Sequence, residues 1–360
     1  MKFGIFDHLE RRHDCDLTQQ YEERLQLMAQ ADAAGIYGYH IAEHHHSPLC
    51  LAPNQSVFLA AAAQRTKNLK IGTLVYVLPL YHPIRILEEI CMVDRLSNGR
   101  MQVGVGKGVL GGIELALWGG DASNTDALFR ETLEILLKGF KEEFLSYEGE
   151  HYKFKNLWME LRAVQKPHPA FWYAGNPQHA GEFGMNFIGA GPIVAVKRAV
   201  ATYLAALKQS QVNPSSCTAT LRNPLYGGIR HTFVADTDVE AKDRAREAYE
   251  AYRRHFAKPQ PNGAELAAGP ERLVGPAAFT PEQAMSYEIL LAGSPSTVRD
   301  YALRYAAESD ANYYVSAFSW GDLTHQESSK SLRLFAEEVM PAVEGVGAKS
   351  REAMTGRGRF

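Results

Sequence analysis

The chain has 360 residues, 46% of them hydrophobic, enough for one large core or two modest ones. Its 38 basic and 41 acidic residues leave a net charge of −3, which excludes nucleic acid as a main partner, since phosphate binding needs a basic excess. Apolar stretches such as Val57 to Ala63 are too short to span a bilayer, so no membrane partner is expected.

In chain order, Lys2 to Phe6 reads as a strand running straight from the N-terminus, with no signal-peptide core. The four cysteines (Cys15, Cys50, Cys91, Cys217) form no CxxC pair and no zinc spacing, so reduced thiols and a cytoplasmic location are expected. Asp16 or Thr18 can cap a helix on which Tyr21, Leu25, Met28 and Ala29 share a face, and Gly35 ends it. Tyr37 to Ala42 is a second strand, and an alanine-rich helix follows Asn54. Leu69 to Val77 is strongly β-like, and Ile84 to Leu96 is a helix that stops at Asn98-Gly99. Met101 to Val105 is the fourth strand, and Leu133, Leu136, Leu137 and Phe140 fall at helical spacing behind Asn124-Thr125.

Residues 142–170 then break the rhythm as an inserted extended or hairpin region. Phe171 to Ala174 and the stretch near Phe187 to Val194 supply two more strands. Ile229 to Ala235 is the next, and Asp238 starts a helix carrying Ala241, Ala245, Ala248 and Tyr252. Residues 259–281 hold five of the 17 prolines, too irregular for a barrel element, and form either a tolerated surface insertion or a lid over the site. Tyr313 to Phe318 is the last strand, and a helix using Leu332, Phe335 and Val339 stops before Pro341. About eight strand–helix units suit a TIM-type (β/α)8 barrel, with a doubly wound sheet as the alternative. The organisation expected is one domain over residues 1–345 and a disordered tail over 346–360.

Glu43-His44-His45-His46 directly follows the second strand, where a barrel places its active site. Acid–base chemistry beside a cofactor, structural histidines and a metal site compete for this run. The metal is disfavoured, because neighbours on an extended chain point to opposite faces. Gly104-Val105-Gly106-Lys107-Gly108 follows the fourth strand and suits either a phosphate or a tight turn. Ala174-Gly175-Asn176-Pro177-Gln178-His179 follows the fifth and suits either a phosphate or an ordinary capped turn. No complete dinucleotide unit is present, so no NAD(P)H site is expected.

Taken in order, Glu43-His44-His45, Gly72-Thr73 through Leu78-Pro79 with His82-Pro83, Leu96 to Arg100, Gly104 to Gly108, Gly293-Ser294-Pro295 and Val339-Met340-Pro341 resemble the successive blocks of the bacterial luciferase-like flavin monooxygenases. The resemblance covers roughly residues 1–345. It implies FMN in the barrel mouth, its ring against a non-prolyl cis peptide at Leu74–Val75. It places the phosphate between Gly106, Lys107 and Gly108 and the turn made by Ala174, Gly175, Asn176 and His179. It makes His44 the catalytic histidine and implies a homodimer packed through helices of the first half. Gly106 stands where light-emitting members carry cysteine, which argues against bioluminescence, and Lys107 replaces an arginine, which loosens the phosphate grip. The activity implied is a two-component monooxygenase that takes reduced FMN from a separate flavin reductase and, with O2, oxygenates a small organic substrate. The alternatives are deazaflavin-dependent hydride transfer on the same barrel and a non-catalytic flavin-binding relative.

Overall fold

In a computed structural model, the structure describes residues 1–108, 113–256 and 275–344; the side chains of 113, 114, 275 and 276 are not part of that description. Most of the 259–281 segment and the whole 346–360 tail, each given a role above, lie outside the described residues. The first unit is β1 (Lys2–Asp7) and α1 (Leu17–Ala33), whose N-terminus is capped by the Asp16 carboxyl accepting from Thr18 and Gln19 N–H. Of the expected face Tyr21, Leu25, Met28 and Ala29 only Met28 is fully buried; the buried face carries Gln20, Arg24, Leu27, Met28 and Ala31. The reason is tertiary: Arg24 is buried because it donates to the buried Asp7 at 2.8 Å.

β2 (Gly38–Ile41) leads to α2 (Gln55–Arg65), capped by Asn54. β3 (Lys70–Thr73) and β4 (Tyr76–Val77) divide what the sequence presents as one strand. α3 (Pro83–Leu96), β5 (Met101–Gly106), α4 (Ile113–Leu117) and α5 (Thr125–Gly139) follow. The inserted region is an antiparallel hairpin of β6 (Phe144–Glu148) and β7 (Lys153–Trp158).

Next come β8 (Ala170–Ala174), α6 (Pro177–Glu182), β9 (Asn186–Ala190) and α7 (Ile193–Val212). The expected strand to Val194 therefore ends at Ala190. Pro192 caps a 20-residue helix, and Ile193 N–H donates to Glu288 across the fold. The chain continues through β10 (Tyr226–Val234), α8 (Asp238–His255), α9 (Pro281–Ser286), β11 (Leu290–Gly293), α10 (Pro295–Glu308), β12 (Tyr313–Ala317) and α11 (His325–Leu334). The final helix does not stop before Pro341. A π turn over Phe335–Val339, in which Met340 N–H bonds Phe335 O, lets it run on to residue 344.

Among the described residues, β1, β2, β3, β5, β8, β9, β10 and β12 pair in parallel and close into a ring, with β10 meeting both β9 and β12. The chain is thus a (β/α)8 barrel, and β11 adds to the C-terminal half of β10. The interior is packed. His40 Nε2 lies 2.9 Å from Tyr313 Oη, and the Trp172 ring stands edge-on to His40 at 4.7 Å. Burial pushes the His40 imidazole down to about 3, so it serves as a neutral core group.

Candidate active site

The carboxyl ends of the strands carry the polar residues singled out from the sequence. Their floor is the junction of β3 and β4, where Leu74–Val75 is a cis peptide bond. Three neighbours hold this backbone. Leu74 N–H donates to Ile41 O at 2.7 Å, Gln55 Nε2 donates to Val75 O at 3.0 Å, and Val77 N–H donates to Glu43 Oε2 at 3.1 Å. The Thr73 side chain bridges the gap in the ladder, its hydroxyl donating to Gly104 O at 2.9 Å and accepting from Gly104 N–H at 3.1 Å. Only glycine allows that approach, since a Cβ on residue 104 would sit 2.2 Å from Thr73 O. A Cβ on Gly106 would lie 2.5 Å from Val75 Cγ2, so Val75 occupies the room a side chain at 106 would take.

The run Glu43 to His46 splits by burial. Glu43 is buried; besides Val77 N–H it accepts from Tyr81 Oη at 2.9 Å and lies 2.8 Å from His45 Nε2. His45 is buried too, edge-on to Trp118 at 4.6 Å. His46 is exposed, with φ +53°, and accepts from Trp118 Nε1 at 3.2 Å. His44 is half-buried, with its ring 5.5 Å from His8. Glu43 and His45 thus brace the floor, while His44 stands at the mouth.

His8 opens a cluster that sequence reasoning missed. Burial, then the neighbouring His44, His231 and His255, hold His8 well below the usual histidine range. Glu10 Oε2 lies 2.8 Å from His255 Nδ1 and accepts from Gly321 N–H at 2.7 Å, joining the β1–α1 loop, the end of α8 and the loop after β12. Burial pushes the Glu10 carboxyl up, against the lowering effect of its His255 and Gly321 bonds. His231 is pushed down to about 3 by burial. Only one signal could have found His8 and Glu10: both lie within three residues of the end of a strand, at the barrel's functional end. His231, within its strand, and His255, at the end of its helix, carry no local mark.

The second end of the site gathers around Lys107. Its ammonium lies 2.6 Å from Asp126 and 5.9 Å from the centre of the Phe129 ring. The Asp126 carboxyl is held down first by Lys107, then by Arg130 and His179. Phe129 packs on Tyr173, which meets His179 edge-on at 6.1 Å, so Lys107 and the 174–179 turn share one aromatic base. Ala174 closes β8. Gly175 has φ +87° with nothing near the position of a Cβ, and Asn176 caps α6 by accepting from His179 N–H at 3.1 Å. Gly108 is also at positive φ, a conformation glycine adopts without strain. Asp126 and Arg130 were missed because nothing local marks a helix residue as facing a distant loop.

A closed parallel barrel whose titratable groups converge in the loops at its carboxyl end defines a barrel enzyme. The luciferase-like monooxygenase family model matches residues 1–310, and the chain belongs to that family. It is similar to the uncharacterized protein y4wF of Sinorhizobium fredii, with 33% identity over 95% of this chain and 97% of that protein. It is also similar to the oxygenase component of the flavin-dependent trigonelline monooxygenase of Acinetobacter baylyi, with 27% identity over 95% of each chain. Among solved structures, the monooxygenase RslO1 of Streptomyces bottropensis superposes with a TM-score of 0.78 at 24% identity, over 95% of this chain and 99% of that one; the likeness bears on the fold. No helix among the described residues is long and apolar enough to cross a membrane.

Proposed function

We propose that the protein is the oxygenase component of a two-component flavin monooxygenase, taking reduced FMN from a separate flavin reductase and using O2 to oxygenate a small organic substrate. The observation that carries this reading is that the Lys107–Asp126 pair and the turn with the open Gly175 and His179 rest on one aromatic base, Phe129 and Tyr173, on the same barrel mouth as His44. The residues fit the cofactor. An anion-sized group can approach the Gly175 backbone, and Asp126, largely exposed, can yield Lys107 to a phosphate. Leu74, Val75 and Gly106 would face the ring system, with Lys107, Gly108, Ala174, Gly175, Asn176 and His179 around the phosphate.

When bound, reduced flavin supplies the electrons that activate O2. The chain's own part is positioning and proton control. Leu74 and Val75 present an apolar floor that keeps water off the reacting face. His44, at the mouth, holds or delivers a proton at its imidazole nitrogen. His8 beside it is kept neutral by burial, so it can exchange hydrogen bonds with His44 without adding positive charge.

The proposal extends to a homodimer through α2 and α3, where Val57, Met92 and Leu96 are 69%, 53% and 50% exposed. Ala62 and Ala63 of the alanine run are buried against the barrel instead. The functional test is oxygen uptake with chemically reduced FMN and a substrate panel under heavy-oxygen O2, with one labelled oxygen expected per product. Rapid NADH oxidation by the purified protein with FMN would overturn the two-component reading. Preferential binding of a deazaflavin without oxygen uptake would overturn the cofactor.

A further inference from the structure

We propose that Glu10 is a positioning residue that makes His8 and His44 a proton relay, by fixing the His8 tautomer that accepts a proton from His44. This rests on the reading of His44 as the acid–base group of an oxygenase site and adds where its proton goes.

The turn that carries His8 and Glu10 is over-determined. Leu9, between them, is fully buried and held at φ +54°, in the left-handed region that such a side chain rarely adopts. Its N–H donates to Asp7 Oδ1 at 2.7 Å, and its carbonyl accepts from Leu51 N–H at 3.0 Å. Asp7 is itself clamped by Arg24 and Tyr39. Such strain persists only where the surroundings impose it, and it gathers at functional sites. Here it fixes His8 next to His44, and Glu10 against His255 and Gly321.

The two oxygens of Glu10 do different work. Oε2 is engaged, 2.8 Å from His255 Nδ1 and accepting from Gly321 N–H at 2.7 Å. Oε1 is buried with no hydrogen-bond partner among the described residues, and it faces His8 Nδ1 at 3.9 Å. A small turn of the His8 ring joins the two. A carboxylate oxygen can only accept, so that bond puts the proton on His8 Nδ1. The other ring nitrogen then carries a lone pair that can accept from His44, whose ring is 5.5 Å away.

The surrounding charges agree. His44, His231 and His255 face His8, and Phe6, Tyr252 and Phe256 pack on its ring, so Glu10 is the carboxyl placed to balance a proton there. Asp7 and Tyr252 face Glu10, and neither is a cation. Burial pushes the Glu10 carboxyl up and the His8 imidazole down, which brings their proton affinities toward each other and eases transfer. In the step itself one N–H bond breaks on His44 and one forms on His8. No electron is exchanged, and the imidazolium formed faces the Glu10 carboxylate.

The first test needs neither flavin nor O2. Histidine is labelled with heavy nitrogen in the full chain, and the ring nitrogens of His8 are assigned by their loss in His8→Phe. In the wild type at pH 8, His8 should carry its proton on Nδ1. Glu10→Gln keeps an oxygen for Gly321 and His255 but puts an amide donor where Oε1 stood, so the His8 proton should move to Nε2. With reduced FMN and O2, Glu10→Gln should lower turnover roughly 10²-fold with the substrate KM unchanged, the low end for a positioned acid–base group. A wild-type His8 protonated on Nε2 overturns the relay without any variant having to fold. A tautomer that Glu10→Gln does not move, or unchanged turnover in that variant, overturns it too. The expected tautomers with no oxygen uptake by the wild type would keep the positioning by Glu10 and remove the oxygenase reading instead.

Discussion

Gly106 and Val75 should behave as one unit, because one leaves the room the other fills. A methyl at residue 106 starts 2.5 Å from Val75 Cγ2, about 1 Å inside the ordinary contact distance of roughly 3.5–4.0 Å. Gly106 is buried on a strand paired on both sides, so little can shift, and such overpacking costs about 1–3 kcal/mol. Val75→Ala removes the opposing methyls from a half-buried side chain, a loss of about 1 kcal/mol. In the double variant the new methyl enters the vacated space, so the cost should stay near about 1 kcal/mol. The sum of the single effects is then about 3 kcal/mol against about 1 for the pair, a coupling of about 2 kcal/mol. Urea unfolding of the four proteins at pH 7, followed by circular dichroism, measures each value. Additivity within about 0.5 kcal/mol would show that Val75 does not hold the space beside Gly106.

Asp126→Ala should tighten FMN binding several-fold by freeing Lys107, whereas Lys107→Met should weaken FMN about ten-fold and leave riboflavin, which lacks the phosphate, unchanged; fluorescence titration with both flavins decides. His44→Ala should bind flavin within a few-fold of wild type yet lower turnover by roughly 10²–10⁴, and full activity in the variant would remove the assignment. His40 and His231, at about 3 in the fold, bind fewer protons there than in the unfolded chain, so their stability is intact above about pH 6.5 and is lost as pH falls toward 3. Between pH 6.5 and 5 each should cost about 2 kcal/mol, and urea unfolding of His231→Phe should lose about one histidine's share of the slope while His40 and the buried His8 keep theirs; an unchanged slope would contradict the burial argument. Light scattering should report a particle of twice the 40.0 kDa chain mass, and a monomer at micromolar concentration would refute the dimer.

Much of the architecture was legible because it is written in local chemistry. Asp16 and Asn54 cap the helices they precede, the stripe Leu133–Leu136–Leu137–Phe140 is buried, and the inserted hairpin stands where aromatic residues alternate with charged ones. The ordered motif blocks placed His44, the Leu74–Val75 junction and the Lys107 turn at strand ends, the positions a barrel gives to its site. Local pattern misled where a distant partner decides. Arg24 turns inward only because Asp7 waits on β1, the β-branched Ile193 and Val194 begin a helix rather than extend a strand, and Pro341 is absorbed by a π turn. The four-residue β11 has no period to read and exists by pairing with β10. Tertiary structure alone gathered the site's second half: Glu10 bonds Gly321, 311 residues away, and His8, His231, Tyr252 and Trp320 meet although four separate segments supply them. Such contacts leave no trace in spacing, because ring closure sets which strand ends face one another, and with them the burial that shifts each pKa.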